Sequence, residues 1–282
     1  MDRLKFLFLL LLFLFPADGK AMQGSASDAK AHSYCFSGAA QHAYSDERMS
    51  IGIQERHEDG LSYYICDVKL HSADAFHVGF AFDTPNGGKE RASDIAMRAE
   101  AVLAINGDCY TFHGDGVIIR NGEIIRTQKS KRHLLTMLPD GTLTITTNRD
   151  ANQKPQDFAK ALLAAGVLHT WEFGPELIRD GQIVPFDPEF GLISVKDSTL
   201  EPRTAIGQIA PLHYVLIVAD GRQEDSEGAS LQKLQELFIE TGVQLAFNLD
   251  GGGSTTLYFN GQVLNEPSGS RERRVSDIIF FK

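Results

Sequence analysis

Short runs of alternating apolar and polar residues, joined by turn dipeptides, dominate the chain. Asn121-Gly122, for example, separates the run 117–120, which is apolar up to Ile119, from the run 123–126. Asn-Gly and Asp-Gly tolerate the positive φ of a type I′ turn, so this pattern predicts β-hairpins. The same pattern occurs at residues 177–184 around Asp180-Gly181, at 255–265 around Asn260-Gly261, at 134–146 around Asp140-Gly141, and at 59–70 after Asp59-Gly60.

Helical periodicity is rarer. Apolar residues recur every three or four positions over residues 231–241, with Ser230 as N-cap and Gly242 as the stop, which predicts an amphipathic helix. Shorter helices are predicted over residues 93–101 and 156–165.

Two apolar runs flank the main predicted helix. Residues 214–219 precede it and residues 243–249 follow it, so we expect a crossover in which the two strands pair. Composition does not change abruptly between residues 54 and 282. This predicts a single α+β domain over 54–282, built of hairpin-rich mixed β-sheets flanked by a few helices, with residues 27–53 as a loose N-terminal segment.

Residues 1–26 have the pattern of a secretory signal peptide. Arg3 and Lys5 precede the apolar run 6–15, and Pro16 ends it. The run is shorter than the roughly 20 residues that a bilayer-spanning helix needs, although an N-terminal anchor or a buried core helix is the alternative. We expect a secreted or periplasmic protein with no membrane span after signal removal.

Composition is that of a globular protein, with 43% apolar and 23% charged residues and a formal net charge of -10. A nucleic-acid binder needs a basic footprint, which this charge argues against. The sequence indicates no oligomeric state. Cys35, Cys66 and Cys109 allow at most one intramolecular disulfide; an oxidising compartment favours Cys35–Cys66 without fixing it.

A glycine-rich segment carries the first candidate chemistry. Gly251, Gly252 and Gly253 follow a predicted strand and permit positive φ and close approach of the backbone to a ligand. Their N–H groups, with that of Ser254, can point at an anion, and Asp250 stands at the rim. The spacing and lysine of a P-loop are absent. A flexible turn is the alternative.

Polar residues also stand at the predicted ends of several strands. Arginine suits bidentate recognition of a phosphate or carboxylate. For each residue taken singly, a turn, a surface charge or an ion pair is the alternative, but their shared placement predicts a cleft. These residues are Asn106, Arg203, Asp220, Arg222, Glu272 and Arg273.

Ordered motifs give the chain a resemblance to the phosphodiester glycosidase family over residues 106–281. The most specific motif is Asn-Leu-Asp-Gly-Gly-Gly-Ser at residues 248–254. After Asn106-Gly107 the family has a small residue and then an aromatic one, whereas this chain has Asp108, Cys109 and Tyr110. The other matching segments are Gly174-Pro175, residues 203–207, residues 220–222, Asn265 and Glu272-Arg273.

The resemblance implies hydrolysis of the glycosyl–phosphate bond of a sugar phosphodiester with an N-acetylglucosamine-like sugar. A departing phosphate monoester, with a second pKa of about 6, needs little protonation, whereas a sugar alkoxide needs a general acid. We therefore expect one essential carboxylate, Asp250, as nucleophile or as base for water. Asp220 is the second choice.

The remaining candidates have supporting roles in this hypothesis. Arg203 and Arg273 bind the phosphate with the amides of residues 251–254, and Arg222 belongs to the substrate-binding set. Asn106 and Asp220 orient sugar hydroxyls, and Glu272 holds its arginine neighbours. Because a non-catalytic carbohydrate-binding or exopolysaccharide-assembly protein needs the same cleft, it is the alternative function.

Two further groups are weaker candidates. His113 lies in a predicted loop and is a fallback acid or base. The acidic residues 224, 225 and 227 beside Asp220 lack the spacing and glycine of an EF-hand. We expect no metal or cofactor, with calcium as the alternative.

Overall fold

The computed structural model describes residues 34–86, 88–108, 110–146, 153–186 and 198–282. The predicted signal peptide (residues 1–26) and Cys109 lie outside the described residues. In chain order the strands are β1 (His42–Ser45), β2 (Met49–Glu58), β3 (Leu61–Leu70), β4 (Phe76–Phe80), β5 (Glu90–Arg91), β6 (Leu103–Asn106), β7 (Val117–Arg120), β8 (Glu123–Thr127), β9 (His133–Met137), β10 (Leu143–Thr146), β11 (His169–Phe173), β12 (Glu176–Arg179), β13 (Gln182–Ile183), β14 (Arg203–Ala210), β15 (His213–Ala219), β16 (Leu245–Asn248), β17 (Leu257–Phe259), β18 (Gln262–Val263), β19 (Arg274–Val275) and β20 (Asp277–Phe281), and the helices are α1 (Ala92–Arg98), α2 (Pro155–Ala164) and α3 (Leu231–Thr241).

Two antiparallel sheets build the main core. The larger is eight-stranded, in the order β1-β2-β3-β15-β14-β16-β12-β13, and the smaller is five-stranded, in the order β18-β17-β6-β20-β4. Apolar side chains of β2, β3 and β15 pack between the sheets against those of β4, β6 and β20. A three-stranded sheet, β10-β9-β11, adds Leu135 and Trp171 to this core.

Helices cover the outer faces of both sheets. Successive strand residues point to opposite faces, so Leu216 and Val218 of β15 face the second sheet while Val215 and Ile217 pack with the leucines of α3. On the five-stranded sheet, Ile278 and Phe280 pack against α1. The fold is therefore α+β, with sheets flanked by a few helices, as predicted, and every strand pair in the described residues is antiparallel.

The predicted hairpins are all present. The turn dipeptides join β7 to β8, β12 to β13, β17 to β18, β9 to β10 and β2 to β3. Helix α3 also begins and ends as predicted: Ser230 Oγ accepts a hydrogen bond from Lys233 N at 3.0 Å, and Gly242 ends the helix at φ 74°.

The strands on either side of α3 do not pair, so that prediction is wrong. Strand β14 lies between β15 and β16 and is antiparallel to both. The segment predicted to be loose is also structured in part, because β1 and the start of β2 lie within residues 27–53 and join the edge of the larger sheet.

Cys35 and Cys66 are free thiols, so the pairing that an oxidising compartment favours is absent. Cys66 faces the core between the sheets, whereas the amide of Cys35 donates to Asp67 Oδ2 at 2.5 Å and its side chain packs with the core beneath α3. Asp67 and Cys66 are successive residues of β3 and so point to opposite faces. The two thiols therefore lie on opposite sides of the sheet. Among the residues that the structure describes, no helix has the length and apolar character of a membrane span.

Candidate active site

The candidate site lies where strand ends of the two large sheets meet. Arg203 at the start of β14 pairs with Ala219 at the end of β15, and Ala205 pairs with Asn248 at the end of β16. In the other sheet, the end of β6 pairs with the start of β20. Antiparallel pairing thus brings the predicted strand-end residues to one edge of the fold.

Asn106 connects the two sheets at this edge. Its Nδ2 donates to the carbonyl of Asp250 at 2.7 Å, and its Oδ1 accepts from Thr204 Oγ1 at 2.7 Å and from Thr256 N at 3.2 Å. The side chain is fully buried and its hydrogen-bonding capacity is used. The prediction that Asn106 orients sugar hydroxyls is therefore corrected: it positions the glycine-rich loop.

The glycine-rich loop follows β16 and turns tightly. Gly252 has φ 59° and its amide donates to Pro202 O at 2.8 Å. A Cβ on Gly251 would lie 2.6 Å from the same carbonyl, so a larger residue does not fit there without a shift. Glycine is therefore required at position 251 because a side chain has no space there, and at position 252 because the backbone has a positive φ.

Asp250 opens this loop, and its carboxylate contacts Arg273. The distance from Arg273 Nη2 to Asp250 Oδ2 is 3.3 Å, and Arg273 Nε donates to Ser254 Oγ at 3.0 Å. Asp250 is 9% exposed. Burial raises the pKa of its carboxyl above the ordinary value, although Ser254 and Arg273 act in the opposite direction. The sequence prediction that a carboxylate and an arginine meet at this loop agrees with this geometry.

Arg222 also lies beside the loop. A Cβ on Gly252 would lie 3.3 Å from Arg222 Nη2, and one on Gly253 would lie 3.4 Å from Arg273 Cδ. The two arginine side chains are 52% and 49% exposed. Arg222 pairs with Glu201 at 2.6 Å. Two half-exposed arginine side chains therefore lie beside the loop, an arrangement suited to a bound anion.

Arg203 has a different position from the one expected. Its Nε donates to Ala229 O at 3.0 Å and its Nη2 to Thr199 O at 2.9 Å, and the residue is 5% exposed. Burial lowers the pKa of this guanidinium to about 10. Since its donors hold two backbone segments together, Arg203 is corrected from a phosphate ligand to a structural arginine.

Asp220 is also structural in its contacts. Its Oδ1 accepts from Asn265 Nδ2 at 2.9 Å and both carboxylate oxygens accept from Glu266 N at 3.1 Å. Burial raises the pKa of Asp220 to about 6. Asn265 in turn donates to Thr255 O at 3.3 Å, so Asp220 supports the segment that follows the loop and is corrected from a residue that orients sugar hydroxyls.

Glu272 does not hold the neighbouring arginines. Its Oε1 accepts from Ser93 Oγ at 2.5 Å and its Oε2 from Ser93 N at 3.0 Å, so it binds the first turn of α1. It therefore fixes the start of the segment that carries Arg273. Glu272 is therefore corrected from a residue that holds its arginine neighbours to one that supports the start of α1.

His113 and the acidic residues near Asp220, the remaining candidates, make none of the contacts described above. Burial lowers the pKa of His113, so its ring is neutral at pH 7. Glu224, Asp225 and Glu227 are exposed, and no group of His, Cys, Asp or Glu within the described ranges is arranged to hold a metal ion. A metal-free site stays a prediction.

A buried charge cluster adjoins the site, and sequence reasoning missed it. Arg120 Nη2 lies 2.9 Å from both Asp108 Oδ1 and Asp277 Oδ2, and all three side chains are buried. The available signal was Asp108 itself, which stands where the family has a small residue. Gly174, from another family motif, accepts from Asn248 Nδ2 at 2.8 Å beside the loop.

Sequence comparison agrees with these features. A sequence profile of the phosphodiester glycosidase family matches residues 99–282. SPbeta prophage-derived uncharacterized protein YomE of Bacillus subtilis (strain 168) is 27% identical over 244 residues, which cover 78% of this chain and 36% of YomE. Human N-acetylglucosamine-1-phosphodiester alpha-N-acetylglucosaminidase is 35% identical over 108 residues, which cover 38% of this chain and 21% of the human protein. The chain therefore spans well under half of either relative.

A solved structure shares the fold. The catalytic domain of the zebrafish enzyme of the same name, in a form auto-inhibited by its pro-peptide, superposes with a TM-score of 0.65 at 22% identity and covers 86% of each chain. This similarity supports the arrangement of stacked sheets and flanking helices.

Proposed function

Because this chain belongs to the phosphodiester glycosidase family, we propose that it hydrolyses the glycosyl–phosphate bond of a sugar-1-phosphodiester, with an N-acetylglucosamine-like sugar. The observation that carries the proposal is the contact between the buried carboxylate of Asp250 and Arg273, at 3.3 Å on a glycine-rich loop. The name of the human relative supports the choice of sugar. Residues 1–26 support an exported protein.

The loop and the arginines beside it have separate roles in the proposed reaction. Arg273 and Arg222 bind the phosphate, together with the amides of the glycine-rich loop. As the bond from C1 to the phosphate oxygen breaks, its electron pair leaves with the phosphate monoester, which these cations stabilise. Asp250 either attacks C1 directly, giving an ester that water then hydrolyses, or accepts the proton of a water that attacks C1. Burial raises the pKa of its carboxyl above the ordinary value, which makes the carboxylate a stronger base.

Hydrolysis of a defined phosphodiester tests this proposal. The full chain, expressed with its N-terminal segment, is incubated with an α-N-acetylglucosamine-1-phosphodiester, and free reducing sugar and phosphate monoester are measured. We expect Asp250→Asn to lower turnover by at least about 10²-fold. Asp225→Asn, which removes an exposed carboxylate from a neighbouring loop, is the matched control and is expected to retain activity.

The outcomes separate the candidate functions. Turnover in wild type that survives in Asp250→Asn would remove Asp250 from the mechanism. Binding of the diester without release of sugar would instead favour the carbohydrate-binding alternative, since that function needs the arginines but no competent carboxylate.

A further inference from the structure

Arg222 stands between a carboxylate and the glycine-rich loop. Its Nε and its Nη2 both lie 2.6 Å from Glu201 Oε2. A Cβ on Gly252 would lie 3.3 Å from Nη2 of the same side chain and 3.5 Å from its Nη1. Glu201 therefore binds the Nε–Nη2 side of the guanidinium, while the Nη1–Nη2 end lies closest to the loop.

The backbone of Glu201 is fixed by contacts other than this ion pair. Its amide donates to Ala229 O at 3.3 Å, and its carbonyl accepts from Ala229 N at 2.9 Å. A Cβ on Gly228 would lie 2.6 Å from Glu201 N, and one on Gly221 would lie 2.8 Å from Pro202 N. Close packing of backbone against backbone therefore sets the point from which the Glu201 side chain reaches Arg222.

Stability gives little reason for this arrangement. The Arg222 side chain is 52% exposed and that of Glu201 is 22% exposed, and ion pairs at such exposed positions add little to stability. Arg222 also has φ 61°, a left-handed backbone conformation that is unfavourable for a residue with a Cβ. A strained residue with a weak ion pair beside a candidate anion site points to a role in that site.

The ion pair changes the charge that a ligand meets at the loop. Glu201 offsets Arg222, and Asp250 offsets Arg273, whose Nη2 lies 3.3 Å from the Asp250 carboxylate. These four side chains therefore have no net charge when all are ionised. Donors on the arginines and on the loop amides remain suited to an anion, but the charges beside them do not favour a doubly charged one.

Other charges around the loop do not give it a positive excess. Arg203 is buried and cationic, whereas Asp220, whose pKa burial raises to about 6, is buried and anionic at higher pH. Water and salt screen the exposed charged residues that are near these positions in sequence. These exposed residues are Arg271, Arg274, Glu224, Asp225 and Glu227.

We propose that Glu201 determines the charge of the ligand that this site prefers: by offsetting Arg222, it makes the loop bind a phosphodiester, with one negative charge, in preference to a phosphate monoester, with two. The inference rests on the proposed function, because it assigns how the site distinguishes substrate from product. Hydrolysis of a sugar phosphodiester releases a monoester that is doubly charged well above its second pKa of about 6. The product is therefore held less tightly than the substrate.

Two matched phosphonates test the inference on the full chain. The first is the C-glycosyl phosphonate of N-acetylglucosamine at pH 8.5, where it has two negative charges, and the second is its monomethyl ester, which has one. Neither contains a glycosyl–oxygen bond, so calorimetry measures the Kd of each without turnover. We expect wild type to bind the methyl ester more tightly than the free phosphonate.

Glu201→Gln keeps an acceptor for Arg222 and removes the negative charge. We expect this variant to lower the Kd of the methyl ester about 3-fold, as for unit charges about 6 Å apart in a medium close to water. The Kd of the free phosphonate should fall about 10-fold, because the electrostatic free energy scales with the charge of the ligand. Both changes should shrink in 0.5 M salt.

Asp225→Asn is the matched control, since it removes an exposed carboxylate three residues from Arg222. It is expected to leave the ratio of the two Kd values unchanged. Weaker binding of both phosphonates to Glu201→Gln, an equal change for both, or the same change in Asp225→Asn would overturn the inference. Wild type that prefers the free phosphonate, or that binds neither ligand, would also overturn it.

Activity separates this inference from the proposed function. If the sugar phosphodiester is hydrolysed, inhibition by the monoester product should strengthen in Glu201→Gln by more than the KM for the diester falls. If nothing is hydrolysed while the two Kd values change as expected, the proposed function fails and charge selection by Glu201 stands. Hydrolysis with an unchanged ratio of Kd values supports the function and rejects the inference.

Discussion

At the scale of single residues, Arg273 makes the contacts on which the proposed chemistry depends. One guanidinium reaches the Asp250 carboxylate and the Ser254 hydroxyl together. This geometry uses donors on two nitrogens of a planar group, and the ammonium of lysine has no equivalent fork. The identity of the side chain, beyond its charge, is therefore expected to matter.

We predict that Arg273→Lys lowers kcat/KM for the phosphodiester by about 10²–10³-fold, because the substitution keeps the charge and loses the positioned donors. Arg222→Lys is the matched comparison. Arg222 bonds Glu201 and not Asp250, so its replacement is expected to cost less. Steady-state kinetics of the two variants decide the point, and equal losses would contradict the assignment.

Asp220 gives a prediction for pH and stability. Its folded pKa of about 6 lies above the ordinary value of 3.8, so the folded state binds this proton more tightly than the unfolded chain. The resulting stabilisation is complete below about pH 4 and is lost as pH rises through about 6. We expect wild type to lose on the order of 2–3 kcal/mol of unfolding free energy over this range relative to Asp220→Asn.

Urea denaturation of both proteins at pH 4, 5, 6 and 7 measures this difference. As the pH rises, the unfolding free energy of wild type should fall relative to that of Asp220→Asn, so that any advantage of wild type shrinks or reverses. Parallel curves across the range would show that Asp220 does not titrate there.

The sequence predicted which residues form the loop. It did not predict which of the surrounding side chains face the cleft and which point into the fold. Asp250, Gly252 and Arg273 were predictable because a strand end, a backbone conformation and a charge are local properties. Arg203 and Asn106 also stand at strand ends, but their side chains point into the fold. Which face a side chain takes depends on sheet pairing, which one sequence does not reveal.

At the scale of elements, the glycine-rich loop gives a prediction about backbone conformation and activity. Gly252 has φ 59°, where an L-residue costs roughly 1–2 kcal/mol, and a Cβ there would contact the Arg222 guanidinium at 3.3 Å. Gly242, which ends α3 at φ 74°, has nothing within 4 Å of such a Cβ. The two positions therefore share backbone strain and differ in what lies beside them.

We predict that Gly252→Ala and Gly242→Ala lose similar stability, about 1 kcal/mol each, while Gly252→Ala alone loses most of its activity. Thermal melts and turnover of the phosphodiester measure the two effects. Retained turnover in Gly252→Ala, at the stability of Gly242→Ala, would show that the shape of the loop is not needed.

Local elements and strand order differ in how far the sequence determines them. The hairpins, such as β7–β8 around Asn121-Gly122, form from neighbouring residues whose turn chemistry is visible in the chain. Strand β14 forms a hairpin with β15 and pairs on its other side with β16, which follows α3, and periodicity does not tell which strand of the hairpin β16 joins. The expected pairing across α3 failed for that reason.

At the scale of the whole molecule, the site joins two sheets that pack through one core. Asn106 ends a strand of the five-stranded sheet and bonds Thr204 of the eight-stranded sheet and the carbonyl of Asp250. A ligand bound at the loop therefore stabilises contacts between the sheets as well as within one of them. Unfolding of either sheet destroys the site, so bound ligand is expected to shift a single transition.

A non-hydrolysable phosphonate analogue of the sugar phosphodiester tests this coupling. At 100 times its Kd, a ligand that binds only the folded state adds about 2.7 kcal/mol, which corresponds to a rise in Tm of about 5–10 °C for a domain of this size. The double variant Arg222→Met and Arg273→Met is expected to lose this rise at the same ligand concentration. Two calorimetric transitions, only one of which moves with ligand, would show that the sheets unfold separately and that the connection through Asn106 does not couple them.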